Sequence, residues 1–259
     1  MNRIEEKLGS ITARGEKALA LFLTAGFPGI DSTVDLALML EQAGADIIEL
    51  GVPFSDPLAD GPAIQTSSAV ALRNGVTLQK IFGYVKAIRT KSDIPLVLMG
   101  YLNPILAYGT ERFLETAAKV GVDGIIVPDL PFEEAIPMRD AAVSSGLAHI
   151  FLVTPETPSD RIEQIDAVST GFLYCVSTRG VTGSYKHRPS LEYLRVVKHS
   201  AKRNPVLVGF GISKPSEAHR YAQPVDGIII GSALIKMIEE RKSKTALTKW
   251  VREFKEALR

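Results

Sequence analysis

Eight short runs of apolar, largely β-branched residues recur along the chain, at 19–24, 46–50, 96–100, 124–127, 148–153, 171–176, 205–208 and 227–230. Each is apolar on most positions rather than on alternate ones, the pattern of parallel strands covered on both faces. Between them lie segments with helical spacing, at 31–43, 111–120, 133–145, 159–168, 191–201 and 216–221. In the first of these Leu36, Met39, Leu40 and Ala43 form one apolar stripe. Asp31-Ser32, Thr110-Glu111, Pro158-Ser159-Asp160 and Ser213-Lys214-Pro215-Ser216 supply start signals, and Gly44, Gly121 and Gly146 stop signals. Strand and helix alternating eight times through right-handed crossovers predict an α/β fold closed as a (β/α)8 TIM barrel. An open doubly wound sheet is the alternative, but no Gly-x-Gly-x-x-Gly follows the first strand. A length of 259 residues suits one barrel domain spanning 1–259. Three additions are expected: a helix over 2–14 capping the barrel bottom, two helical segments within 67–90, and a terminal helix over 244–258.

Composition narrows the partners. Thirty basic against 29 acidic residues leave a net charge of +1, so no electrostatic footprint for nucleic acid or an anionic membrane is expected. Cys175 is the only cysteine, which excludes an intrachain disulfide and a thiolate cluster. The four histidines, at 149, 187, 199 and 219, lack ligand spacing, so no metal is expected. The N-terminus carries acids at once and no apolar run, and no stretch approaches the ~18 residues of a membrane span. A cytoplasmic location is the expectation.

In such barrels the reacting groups sit at the C-terminal ends of the strands and in the loops that follow. Glu49 ends the second strand. If Ile48 and Leu50 pack against the helices, alternation points Glu49 into the barrel mouth. A partly desolvated carboxyl there is suited to carry a proton; the alternative is a structural carboxylate bonded to a barrel-top hydroxyl. The next loop, Pro53-Phe54-Ser55-Asp56-Pro57-Leu58-Ala59-Asp60-Gly61-Pro62, is long, proline-stiffened and polar, the composition of a functional loop. Asp56 reads as a turn former. Asp60 reads equally as a functional acid or as the N-cap of the helix that follows. After the seventh and eighth strands, Gly209-Phe210-Gly211 and Gly231-Ser232 form the usual phosphate cradle of these barrels. The loop after the sixth strand, with Thr178, Arg179 and Gly180, has the composition of a lid, and Gly183 would add a phosphate-facing N–H. No strand ends in the lysine that a Schiff-base aldolase needs. Cys175 reads as a small buried apolar residue.

The run from Glu49 to Pro62 closely resembles the signature of tryptophan synthase α chains. So do Phe22-Leu23-Thr24-Ala25-Gly26, Gly180-Val181-Thr182-Gly183, Gly209-Phe210-Gly211-Ile212-Ser213 and Gly231-Ser232-Ala233-Leu234, and the resemblance covers essentially the whole chain. It implies a lyase of tryptophan biosynthesis that cleaves indole-3-glycerol phosphate to indole and glyceraldehyde 3-phosphate by a retro-aldol step. Glu49 and Asp60 then match the family's catalytic acids. Glu49 protonates the indole C3 carbon, and Asp60 binds the indole N–H. Tyr174 resembles a family tyrosine near Glu49, and Phe22, Tyr101 and Phe210 fit positions around the indole. Gly183, Gly211, Gly231 and Ser232 would hold the phosphate through backbone N–H groups. The resemblance further implies a β subunit carrying pyridoxal phosphate in an αββα assembly, with no cofactor in this chain. Pro53, Asp56 and Pro57 would face that partner.

The chain departs from common members of the family at Thr178-Arg179-Gly180, where Arg-Ala-Gly is frequent, at the basic run Tyr185-Lys186-His187-Arg188, and at Phe27-Pro28-Gly29. Three other readings share parts of the pattern. They are a stand-alone lyase releasing free indole, a phosphosugar isomerase using Glu49 as a carbon base, and an allosteric activator without activity of its own.

Overall fold

The computed structural model describes residues 2–176, 190–209 and 211–259. Nine parallel strands form one sheet: β1 (Ala18–Thr24), β2 (Ile47–Gly51), β3 (Leu96–Met99), β4 (Gly124–Ile126), β5 (Ala148–His149), β6 (Leu152–Val153), β7 (Leu173–Val176), β8 (Val206–Gly209) and β9 (Gly227–Ile230). Their order is β5-β4-β3-β2-β1-β9-β8-β7-β6, so the two edges of the sheet are β5 and β6. Only Ile150 and Phe151 separate those edges. The Ile150 N–H donates to Ile125 and the Tyr174 N–H to Phe151, both at 3.0 Å, which carries the ladder across the gap. The sheet is therefore a closed barrel of eight staves, and the strand expected over 148–153 is one stave in two pieces. Shear is the physical reason for the split. The register runs Phe22–Glu49–Val97–Gly124–Ala148 on one side and Leu152–Tyr174–Leu207–Gly227–Ala18 on the other. It slips four residues within the fifth stave and four within the first, giving the tilt of a shear of 8. The lower half of the fifth stave consequently pairs one neighbour and the upper half the other.

Twelve helices surround the barrel among the described residues: α1 (Arg3–Ala13), α2 (Ser32–Ala43), α3 (Pro62–Arg73), α4 (Leu78–Arg89), α5 (Leu102–Tyr108), α6 (Thr110–Val120), α7 (Phe132–Ser144), α8 (Ser159–Val168), α9 (Leu191–Ser200), α10 (Pro215–Ala222), α11 (Ser232–Glu239) and α12 (Lys244–Glu256). Alternation along the strands sorts the core into two clusters. Leu19, Leu21, Leu23, Ile48, Leu50, Leu96 and Leu98 face the helix layer. Ala18, Ala20, Ile47, Val97, Ile126, Ile150, Phe172, Tyr174, Leu207 and Ile229 fill the barrel. Helix α1 closes the bottom of that interior. Asn2 and Glu5 form its capping box, and Ile4, Leu8 and Ile11, all within 2 % exposure, plug the inner cluster. Each of these three residues contributes roughly 1.5–3 kcal/mol by leaving water. Gly44 and Gly121 end α2 and α6 with positive φ, as their positions in the sequence predicted.

An acid repeats along the bottom rim. Asp46, Asp123 and Asp226 each directly precede a strand and accept the first or second N–H of the neighbouring one, from Leu19, Leu96 and Val206 at 2.7–2.8 Å. Each also meets a cation: Lys255 of α12 on Asp46 at 2.7 Å, Arg3 on Asp123 at 3.0 Å, and Lys198 of α9 on Asp226 at 2.6 Å. Arg89 makes a further short pair with Asp123. These bonds tie the outer helices to the lower edge and leave the upper edge to the loops. Helices α5, directly after β3, and α11, directly after β9, lie outside the segments that the hydrophobic pattern announced.

Candidate active site

At the upper end of β2 the alternation holds: Ile48 and Leu50 pack outward, and Glu49 points into the barrel on the same face as Ile47. The carboxyl is 0 % exposed, and neither oxygen has a hydrogen-bond partner among the described residues. Burial alone pushes it up to about 8, so it holds its proton at neutral pH. The alternative of a structural carboxylate tied to a hydroxyl is excluded for the described residues. An orphaned carboxyl inside a barrel is costly, and such a group calls for a use.

Two aromatic rings flank it from the inner face. Phe22 is the register partner of Glu49 on β1, and Tyr174 on β7 senses the charge of both Glu49 and Asp60. The rings fit because the facing strand ends lack side chains. A Cβ on Gly51 would stand 2.3 Å from Cζ of Phe22, and one on Gly209 2.5 Å from the hydroxyl of Tyr174. Gly209 thus serves packing rather than the ligand approach expected of it.

Asp60 lies above this floor. Gly61, not Asp60, occupies the N-cap of α3, so the capping alternative falls. Its carboxyl instead shares a pocket wall with the Tyr101 hydroxyl, whose influence lowers its pKa, while the larger effect of burial lifts it to about 6. The same hydroxyl accepts the Ala59 N–H at 3.1 Å. Phe22, Gly51, Val52, Asp60, Ile64, Ser68, Met99, Gly100, Tyr101 and Pro128 enclose a small pocket with the Asp60 carboxyl as its charged wall. Of these, Ile64, Ser68, Met99 and Pro128 went unrecognised in the sequence. Met99 could have been found from its inward position at the end of its strand, whereas the others face the pocket only because α3 and the loop after β4 fold over it.

Across the mouth, Gly231 caps α11 and Ser232 opens it, leaving first-turn N–H groups without partners inside the helix. Gly211 has φ +76°, a left-handed backbone available to glycine. Gly231 adjoins Phe22, 3.4 Å from its Cβ as judged from the position a Cβ would take, so the anion cradle borders the aromatic pocket. Thr178, Arg179, Gly180, Gly183 and Phe210 lie outside the described residues. Asp56 is exposed, and its carboxylate takes the neighbouring Ser55 hydroxyl rather than a backbone N–H. Pro53 lines an apolar cleft with Val52, Leu78, Pro104, Ala107 and Tyr108, between the loop after β2 and α5. Cys175 is buried on the helix side of β7, as a small apolar residue would be. Among the described residues no cluster of His, Cys, Asp and Glu could hold a metal ion, and no helix is long and apolar enough to cross a membrane.

Comparison with known proteins agrees with this geometry. The family profile described as Tryptophan synthase alpha chain matches residues 8–259. The tryptophan synthase alpha chain of Geobacter sp. (strain M21) is 49 % identical, covering 93 % of this chain and 90 % of its own. That of Caldanaerobacter subterraneus subsp. tengcongensis is 46 % identical over 100 % of this chain and 99 % of its own. Among solved structures, tryptophan synthase subunit alpha from Legionella pneumophila str. Paris superposes with a TM-score of 0.90 at 35 % identity, covering 100 % of this chain and 98 % of that one. A Mycobacterium tuberculosis tryptophan synthase structure gives 0.92 at 35 % identity, with coverage of 100 % and 98 %. With barrel, pocket and near-full-length similarity in agreement, the chain belongs to the tryptophan synthase alpha chain family.

Proposed function

We propose that this protein is a carbon–carbon lyase that cleaves indole-3-glycerol phosphate to indole and glyceraldehyde 3-phosphate, acting as the α subunit of a tryptophan synthase in the cytoplasm. The observation that carries the chemistry is the divergence of two carboxyls: Glu49, buried without a partner, keeps its proton, while Asp60 is mostly ionised at neutral pH. In this reading the indole lies in the pocket between Phe22, Tyr101 and Asp60, with Tyr174 and Phe210 completing its surroundings. Asp60 accepts the ring N–H, and Glu49 delivers its proton to C3. Protonation at C3 places positive charge on the ring nitrogen beside the Asp60 carboxylate. The bond from C3 to the glycerol carbon then breaks, with the ring as electron sink. The glycerol hydroxyl next to the ring loses its proton, becoming the aldehyde carbonyl, and C3 regains aromaticity. The Glu49 carboxylate formed in the first step is one candidate to take that proton. Neither a lysine nor a metal is required. Gly211, Gly231 and Ser232, with Gly183, hold the phosphate through backbone N–H groups, and Thr178, Arg179 and Gly180 belong to the lid.

The family name supports a β subunit as partner, and we assign the face bearing Pro53, Asp56 and Pro57 to it, with pyridoxal phosphate carried by that partner. A phosphosugar isomerase would use Glu49 but leave the Asp60 pocket without a purpose. Indole release from indole-3-glycerol phosphate, with and without a β subunit, tests the reading. Slow release alone, acceleration by the partner and near-complete loss in Glu49→Gln are expected. Fast release indifferent to the partner would favour a stand-alone lyase, and no release in either condition would overturn the chemistry.

A further inference from the structure

The backbone of the Asp60 loop is held, but that does not aim the carboxylate. The Asp60 N–H closes on the Pro57 carbonyl at 3.1 Å, and the Gln65 side-chain amide donates to the Asp60 carbonyl at 2.8 Å. Both bonds leave the side chain free to rotate. The polar side chain beside it in the pocket is Tyr101, a residue 41 positions further along that enters from the end of β3. The Tyr101 oxygen accepts the Ala59 N–H at 3.1 Å, one residue before Asp60, and Tyr101 and Asp60 wall the same small pocket, where the hydroxyl favours the charged form of the carboxyl. A phenol carries one proton, and with the oxygen accepting from Ala59 that proton is available to the neighbouring Asp60 carboxylate. The tyrosine itself sits on firm ground. It is 5 % exposed, its ring lies 5.3 Å from that of Phe54, and its backbone forms the N-cap of α5. The next N–H, of Leu102, is fixed by the Asp129 carboxylate at 2.9 Å.

We propose that Tyr101, beyond walling the pocket, is a positioning residue that holds the Asp60 carboxylate toward the ring nitrogen of the substrate. The proposal rests on the reading of Asp60 given above. Its chemistry is selective, because a hydrogen bond donated to the carboxylate favours the charged form and is lost when Asp60 takes a proton. Tyr101 therefore also opposes the burial that lifts the Asp60 pKa.

The test is Tyr101→Phe, which removes the hydroxyl and keeps the ring, assayed in the complex with the β subunit beside Asp60→Asn and the double variant. A fall in kcat of about tenfold or more is expected at neutral pH, with KM little changed because the apolar wall remains. The acid limb of kcat/KM moves to higher pH, a shift that loss of packing alone would not produce. In the Asp60→Asn background the hydroxyl has nothing to direct, so the added Tyr101→Phe change has little further effect. A conservative probe covers the case in which the phenylalanine variant folds poorly. Incorporating 3-fluorotyrosine at position 101, a stronger donor of nearly the same shape, moves the acid limb to lower pH. An unshifted limb in both variants, or an equal loss at every pH, would overturn the positioning role. Full activity in Asp60→Asn would instead sink the reading of Asp60 itself, a separate and distinguishable failure.

Discussion

Glu49 and Asp60 are chemically similar groups driven to different protonation states by what surrounds them. Asp60 must be ionised and Glu49 protonated for the proposed step, so kcat/KM is expected to be bell-shaped, with limbs near the values of about 6 and about 8 that burial gives them. The Glu49 shift also bears on stability. Unfolded, this acid ionises near 4.5; folded, near 8. Between those values the unfolded protein has released a proton that the folded one keeps, so stability falls as pH rises through the window and is level above it. At pH 7 the cost is on the order of 3 kcal/mol. Glu49→Gln should thus abolish activity yet raise the denaturant midpoint, by little at pH 5 and most at pH 8 and above. A midpoint lowered at every pH would show that the carboxyl is a structural group. His149 acts in the opposite sense. It stacks on Phe151 at 4.5 Å with Nδ1 buried and unpaired among the described residues, and burial, aided by the charge of Arg139, lowers its pKa to about 4. Below its ordinary 6.5 the unfolded protein takes up a proton that the folded one refuses until about 4, so stability falls as pH drops through that interval. Removing the titration with His149→Gln should flatten this limb in denaturant melts between pH 6.5 and 4.

At the scale of elements, the lower rim is built for stability and the upper rim for chemistry. Asp123 accepts the Leu96 N–H and pairs with both Arg3 and Arg89, the latter only 11 % exposed in its side chain. Removing one member of so buried a group leaves the others uncompensated, and Asp123→Ala should cost about 3–5 kcal/mol. Asp226 makes the equivalent bond on β8, but its cation Lys198 is 39 % exposed. Asp226→Ala should therefore cost clearly less, an ordering that equilibrium denaturation reads directly. The barrel strands were legible as apolar runs because parallel strands hidden on both faces leave that signature. Helix α5 was not legible, since seven residues containing Pro104 are too short to show a period. Nor was the break in the fifth stave, which arises from shear and has no local code. At the site, the inward turn of Glu49 followed from alternation alone. Asp60 remained open between cap and functional acid, because the group that decides between them, Tyr101, arrives from another strand end. The resemblance supplied an expectation that spacing could not, by assigning Asp60 and Tyr101 to one indole site.

For the whole molecule, the division between rims predicts where a partner sits. Two of the most exposed large apolar side chains among the described residues belong to the catalytic end: Leu58, 85 % exposed, two residues before Asp60, and Leu106, 55 % exposed, on α5. The loop and the helix that carry them border the same apolar cleft, whose walls include Pro53, Pro104 and Ala107. Leu72, Val143 and Val196 are also exposed but scattered over α3, α7 and α9, where single apolar residues are ordinary surface. A β subunit seated over Leu58 and Leu106 would cover the loop holding Asp60 and the helix that Tyr101 caps, which would place its contacts next to the proposed catalytic groups. Leu106→Glu separates that role from folding. The side chain already faces water and glutamate is a good helix former, so stability should change by no more than about 0.5 kcal/mol. Turnover of the isolated protein should stay as in the parent, while a charge introduced at an apolar contact should weaken β binding about tenfold or more. Titrating the β subunit into each protein and following indole-3-glycerol phosphate cleavage checks this: the variant should need more β subunit to reach half-activation. Coincident titration curves would place the interface elsewhere on the barrel.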